Sequence, residues 1–378
     1  RLLDFSGEGA FVLDKLSVSR LVFQMVIVLL VYFISTRSIN DRIEAMERDE
    51  KKDELIEAYD VDMEDFLSNI SHELRTPVNV VNGMSELLIK KGAGEEAGAV
   101  KKAGIRLAYQ IEDIQDYTEC KRDKVILEEE DYMSTSLIND VINGFHLADD
   151  HGRLELIVDL DPKVPAMMRG DIKKLHKIFR HLLNNAMKFT KQGGIYVRMY
   201  TENTDQGMNL CIEVTDTGIG MDVKALESVS RGMYQADKGR DRSTGGIGLG
   251  LFIVYGFVHR MGGFVKIESE KGQGTTIRVT LPQKAADAKP CLKLSPSFRG
   301  TILFHVRPAK YKVPQLREFY RNMASNLALG MHVPLYATET VQDVERMREK
   351  MDVTFIFMGE DEYTEDKDRS EERRVGKE

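Results

Sequence analysis

Ser71-His72-Glu73-Leu74-Arg75-Thr76-Pro77 places a histidine directly before a carboxylate, on a helix that Pro77 then bends. A neutral imidazole has a free lone pair near neutral pH and can attack phosphorus, and the neighbouring carboxylate can take the released proton. Outward from this stretch, seam positions recur at Ile70, Leu74, Pro77, Val81, Met84 and Leu88, in alternating steps of four and three. That stepping is the signature of a coiled-coil or bundle seam. Gly92-Ala93-Gly94 stops the helix, and a second series follows at Val100, Gly104, Leu107, Ile111, Ile114 and Thr118. The two helices predict an antiparallel hairpin over 66–123. A lone hairpin leaves one apolar stripe uncovered; a second copy across a two-fold axis buries it in a four-helix bundle, so a homodimer is expected.

Upstream, Leu21 to Thr36 is an almost unbroken apolar run, interrupted by Gln24 and flanked by Arg20 and Arg37. Snorkelling arginines extend such a run toward the length of a spanning helix. Residues 1–37 are therefore expected to form an extracytoplasmic stub and a transmembrane helix, with a buried input-domain helix as the alternative. The charged stretch 38–65 reads as a linker helix. With 378 residues and 42% hydrophobic content, the chain predicts two or three domains. A net charge of −8, from 53 basic and 61 acidic residues, argues against a general nucleic-acid binder. Cys120, Cys211 and Cys291 lie far apart, which points to neither a zinc site nor a disulfide framework.

Downstream, a helix is expected over Asp171–Thr190, and strands over 195–200, 209–215, 263–269 and 275–281. Together they outline an α+β sandwich over 131–284. Pro282 to Ser297 is rich in lysine, alanine and proline and reads as linker, the unstructured part being 285–297. Strand 301–306, helix 314–329, strand 333–337, helix 339–350 and strand 353–358 then make a doubly wound α/β start within 298–362, with Pro314 at a first helical position. The tail 363–378 has no apolar periodicity and is expected to be disordered or foreign to the natural protein.

The sandwich holds a set of residues suited to a nucleotide. Asn185 and Lys188 lie three apart on one helix face, an amide oxygen for magnesium and an ammonium for phosphate. Asp216 ends a strand, and Gly218 and Gly220 let the backbone pass close to a flat base whose exocyclic amine the carboxylate accepts. Gly246, Gly248 and Gly250 put flexible backbone at a helix start, where free amides attract phosphate. Gly272-Gln273-Gly274-Thr275 closes the pocket. Each piece alone is weak; their joint order is specific.

Asn185, then DTGIG (216–220), then GGIGLGL (245–251), then GQGT (272–275) resembles the box order of the ATPase family that includes histidine kinases, gyrase, mismatch-repair ATPases and large chaperone ATPases. The resemblance spans about 131–282 and implies the Bergerat ATP fold, with a mobile lid between Met221 and Thr244. Phe66 to Asn79 resembles the phosphoacceptor box of sensor histidine kinases, which selects among those relatives. The resemblance implies that His72 is phosphorylated from ATP and passes the group to an aspartate on a response regulator receiver domain. It implies Glu73 as the group that orients or deprotonates the imidazole, and Thr76 as the holder of water in a reverse reaction. It further implies Asn185 as the Mg2+ ligand, Lys188 and Thr275 as nucleotide contacts, Asp216 as adenine reader, and a bacterial inner or plasma membrane location with cytoplasmic kinase domains. An ATP-binding pseudokinase scaffold in the same pathway is the alternative.

Some positions depart from the family pattern. His181 stands where an amide is usual, and 229–235 keeps only part of the aromatic box before the lid, from which reduced activity is expected. The 298–362 unit resembles a receiver in element order, which would make a hybrid kinase. However, His305-Val306-Arg307-Pro308 replaces the paired acids, and Met358-Gly359 follows the last strand without an acceptor aspartate. It is expected to be a degenerate, partial receiver-like module with a docking role at most.

Overall fold

Asp171 shows how local chemistry sets the frame of the central domain. Its buried carboxylate accepts from Lys174 N at 3.0 Å and from Glu128 N at 2.9 Å, capping one helix and tying down the chain that enters the domain. In the computed structural model, the residues described are 4–6, 10–12, 25, 37, 67, 69–71, 73–92, 95–148, 154–205, 207–230, 248–295, 298, 300–305, 313–359 and 363. The chain divides into two units, 1–72 and 73–378. In the first, β1 (Asp4–Ser6) pairs antiparallel with β2 (Ala10–Val12). The expected membrane span lies outside the described residues apart from Met25, as do the linker helix 38–65 and nearly all of the 363–378 tail. No helix among the described residues is long and apolar enough to cross a membrane.

The second unit begins with α1 (73–90), which runs unbroken through Pro77, and α2 (Glu95–Lys121). They are antiparallel: Arg75 donates to Gln115, Asn82 lies against Gly104, and Lys101 sits 3.8 Å from Glu86. The hairpin contact includes Gly104, Ile111 and Thr118 of the expected α2 series but none of the expected α1 series. Val78 and Ser85 on α1, and Ala97, Gly104, Ile111 and Thr118 on α2, are buried at seven-residue spacing. The larger residues of the expected α1 seam point away from the contact, from Leu74 at 41% exposure to Met84 at 60%. Small side chains let the helices approach, which turns the bulkier seam outward.

The central domain is a seven-stranded sheet with helices on its inner face. β3 (Glu130–Met133), α3 (Ser134–Ala148), β4 (Leu154–Leu160), β5 (Pro165–Gly170), α4 (Ile172–Phe189), β6 (Gly193–Thr204), β7 (Gly207–Asp216), α5 (Val223–Ser230), α6 (Gly250–Arg260), β8 (Phe264–Glu270) and β9 (Gly274–Pro290) follow in order. The strand order is β3-β5-β9-β7-β6-β4, with β8 on β9; β4 and β6 are parallel. Alternation along β6 sends Ile195, Val197 and Met199 into a core with Leu175, Ile178, Phe179 and Leu182 of α4 and Val254 and Phe257 of α6. Tyr196 faces the opposite side.

The segment read as linker needs correction. β9 continues to Pro290, pairing Met168 with Ala285 and Pro165 with Pro290. Gln283 is buried and accepts from Tyr132 Oη at 3.1 Å, anchoring a stretch whose other side chains are largely exposed. Backbone pairing needs no apolar side chain, so composition hides the strand. The expected lid range needs a similar revision, because 223–230 is the helix α5, packed against β8, with Met221 N donating to Ser269 Oγ at 2.8 Å.

The last part has the expected doubly wound order. β10 (Thr301–His305), α7 (Pro314–Met331), β11 (Leu335–Thr338), α8 (Val341–Lys350) and β12 (Val353–Phe357) form a parallel sheet in the order β11-β10-β12. Pro314 opens α7, where a missing amide hydrogen costs nothing, and Thr340 caps α8 by accepting from Asp343 N at 3.2 Å.

Candidate functional site

The α4 helix carries the site between its two ends. At one end, Phe189 O accepts from Ile219 N at 3.2 Å, joining α4 to the 216–220 turn. Toward the other, His181 meets the start of α6, where a methyl group on Gly250 would lie 2.9 Å from His181 Nδ1. Asn185 lies four residues from each contact, so the three share one side of the helix. At 1.5 Å rise per residue, the two contacts are about 12 Å apart along the axis, room for a base at one end and a polyphosphate at the other.

Asp216 defines the first end. It is 8% exposed and accepts from Gly218 N at 2.8 Å. Burial pushes its carboxyl up to about 6, against the opposing pull of the Gly218 and Thr275 amides. Beside it, the buried Thr190 side chain adds a further pull that favours the ionised carboxylate. A carboxylate whose ionised form burial disfavours gains from a further donor, which the exocyclic amine of an aminopurine supplies. Close approach requires the glycines. Gly218 lies against Phe189 O and the Asp216 carboxylate, while Gly274 has φ +101°, and a methyl there would sit 1.9 Å from Asp216 O. Gly220, with φ +60°, is pressed against Glu270 O in the same way. Thr275 pairs with Asp216 in register, and its hydroxyl bonds Ser269 Oγ at 2.9 Å.

The structure brings together Asn185, Lys188, Asp216, Gly218, Gly220, Gly250 and Thr275 along and around α4. Gly248 has φ +79° just before α6, which favours glycine, and Lys188 is exposed over the Phe189 ring at 5.3 Å. His72 and Gly246 lie outside the described residues. Glu73 and Thr76 are exposed on α1. Among the described residues, no group of three His, Cys, Asp or Glu side chains could hold a metal ion. Mg2+ at this site would therefore rely on the Asn185 amide, substrate phosphates and water, a mode that suits this ion.

Sequence reasoning missed the contacts that hold α2 onto this helix. Lys177 pairs with the buried Asp116 at 2.7 Å, Arg180 with Asp113 at 2.7 Å, and Arg180 stacks over Tyr109 at 4.4 Å. Tyr117 meets Phe252 of α6 at 4.9 Å. Burial, with the Arg180 and Lys177 charges, pushes His181 down to about 3, so it is a neutral ring. Its 3.4 Å approach to Asp113, a carboxyl that burial raises to about 6, is hence a contact and not an ion pair. The departure from the usual amide at 181 was visible in the sequence; its wedge against Gly250 was not.

Two family comparisons match this geometry. Residues 62–119 match the His Kinase A (phospho-acceptor) domain, and residues 170–285 match the histidine kinase-, DNA gyrase B- and HSP90-like ATPase domain. The chain is 31% identical over 271 residues to the sensor protein GacS of Pseudomonas syringae pv. syringae, covering 70% of this chain and 30% of that protein. It is 33% identical over 222 residues to the autoinducer 2 sensor kinase/phosphatase LuxQ of Vibrio cholerae serotype O1, covering 58% of this chain and 26% of that one. The chain thus spans less than a third of the length of these curated relatives. Full-length ShkA, solved in complex with AMPPNP, shares the fold at a TM-score of 0.53 and 23% identity, over 74% of this chain and 57% of that one.

Proposed function

Starting from a chain that joins a histidine kinase phospho-acceptor domain to a histidine kinase-type ATPase domain, we propose that it is an ATP-dependent protein-histidine kinase of two-component signalling. The observation that carries the reading is the arrangement of buried Asp216 and the glycine start of α6 at two contacts of one helix, with Asn185 between them. The neutral His72 imidazole attacks the γ-phosphorus of ATP; a nitrogen–phosphorus bond forms, the bond to ADP breaks, and Glu73 takes the imidazole proton. Lys188 balances phosphate charge. Magnesium, held by Asn185 and the phosphates, would supply further neutralisation of the transferring group. The phosphoryl group then passes to an aspartate of a separate response regulator, and Thr76 positions water for the reverse reaction.

Homodimer formation follows from the outward seam of α1 and α2, where Leu74, Val81, Met84, Leu88 and Leu107 are exposed. A second copy is the partner that buries such a stripe. The apolar run 21–36 would attach the kinase to a membrane, with the catalytic domains on the cytoplasmic side. The 298–359 module is receiver-like in element order, but β10 ends in Phe304-His305 and β12 runs into Met358-Gly359, without the clustered carboxylates that hold magnesium. The scaffold alternative, binding ATP without transfer, is not favoured beside relatives named as sensor kinases.

Incubation of the chain with γ-labelled ATP tests the proposal. Acid-labile, base-stable label that His72→Gln abolishes is the expected result, and label elsewhere overturns it. Leu88→Glu should convert a dimer to a monomer in light scattering if α1 supplies the interface.

A further inference from the structure

The outer face of the nucleotide-domain sheet is covered by α7. Leu316 packs on Ile157 and Tyr196, and the Phe319 ring stacks on Tyr196 at 5.1 Å and 10°. Tyr320 Oη donates to Glu155 at 2.8 Å. Asp159, only 1% exposed on β4, accepts from Tyr196 Oη and from Asn326 Nδ2 of α7, each at 2.5 Å. A buried carboxylate needs such donors, and here they come from both sides of the interface. The contact is therefore built for this partner and is not a loose apposition.

The first turn of α7 reaches the turns that hold Asp216. Val313 and Leu316 close over Gly193 and Gly194. Those glycines grip the residue after Asp216: Thr217 N donates to Gly194 O at 3.2 Å, and Gly194 N donates to Thr217 Oγ1 at 3.1 Å. Gln315 Nε2 donates to Gln273 at 3.3 Å. Gln273 sits between Gly272, whose amide holds Ile219 O at 2.7 Å, and Gly274, which lies against Asp216 O. Both supports of the 216–220 turn thus touch α7.

We infer that the α/β module at 301–357 controls nucleotide affinity through α7, whose docking on β4 and β6 holds the adenine-reading turn in its binding geometry. Whatever binds or displaces that module changes the occupancy of the nucleotide site, and nucleotide in turn favours the docked module, since coupling between two sites is reciprocal. This rests on the nucleotide-binding part of the reading above and adds an internal regulator to it.

The test uses the full chain. Asn326→Asp puts a second carboxylate against Asp159, and Phe319→Asp breaks the stacked contact independently. Docking is read by amide exchange in β4 and α7, and affinity by calorimetric titration with ATP. The expected result is faster exchange together with an ATP affinity lowered about fivefold or more, the size of a modest coupling. The swap Asp159→Asn with Asn326→Asp, which restores a carboxylate–amide pair, should recover both. Fast exchange with ATP affinity within a factor of about two of the unmodified chain overturns the inference. Unchanged exchange in both single variants overturns it too, because the interface would not then hold the module. Failure of the unmodified chain to bind ATP would instead count against the nucleotide reading itself.

Discussion

Replacing Asp216 with asparagine should stabilise the nucleotide-free protein while removing its grip on adenine. Burial raises the carboxyl from 3.8 to about 6. At about 1.36 kcal/mol per unit, ionising it in the folded state costs roughly 3 kcal/mol at neutral pH. The sign follows from the raised value: the penalty is absent below the unfolded pKa near 4, grows as pH rises, and is complete above the folded pKa near 6. An amide of the same shape escapes it and keeps an oxygen for Gly218 N, but leaves donor hydrogens unmet at about 1 kcal/mol. A net gain of about 2 kcal/mol raises the midpoint of a domain this size by roughly 4–8 °C. Thermal unfolding of variant and parent should show that gain at pH 7 and about a third of it at pH 5. The same substitution removes a charged acceptor for the exocyclic amine, weakening ATP by roughly 10- to 150-fold. A lower midpoint for Asp216→Asn at pH 7, or a gain that does not vary with pH, would falsify the reasoning.

Other outcomes follow from neighbouring contacts. Because an amine donor favours the ionised carboxylate, adenosine affinity should fall as pH drops through about 6, read by competition against a fluorescent nucleotide; a flat profile between pH 5 and 7.5 would count against Asp216 as the acceptor. Gly274→Ala forces a side chain into a left-handed backbone 1.9 Å from Asp216 O, so the domain should lose at least about 3 kcal/mol in urea unfolding. Lys177→Met leaves the Asp116 carboxylate, 5% exposed, without its 2.7 Å partner. A loss of roughly 3–5 kcal/mol and faster amide exchange in α2 are expected, and unaltered exchange would show that this pair does not hold the hairpin to α4.

Elements with strong local signals were readable from the chain alone. The helix over 171–190 has its cap and apolar face written in adjacent residues, Pro314 marks the start of α7, and the glycines at 218, 220 and 274 stand where the backbone needs them. The resemblance to histidine kinases rested on these same boxes. What escaped depends on partners distant in sequence. The strand over 282–290 is held by pairing with β5 and has few apolar residues to reveal it. Periodicity in α1 picked out the outward stripe, because Val78 and Ser85 in the hairpin contact are small or polar and carry little hydrophobic signal, whereas Gly104, Ile111 and Thr118 of α2 lay on the expected series. Asp159 and Asn326 are ordinary polar residues until the fold places them together. His72 and Gly246, singled out by motif, lie outside the described residues.

The continuation of β9 to Pro290 sets how hard α7 is to displace. Cys291 N still donates to Val164 O at 2.8 Å, so only a handful of residues separate the anchored strand from β10 at Thr301. A tether this short gives an effective concentration of order 1 mM. An interface with a free-standing Kd of about 100 μM would then be closed roughly nine-tenths of the time. A competitor for β4 and β6 must overcome that local supply, about 1.4 kcal/mol of extra binding energy, before it can occupy the surface as often as the chain's own helix would if untethered.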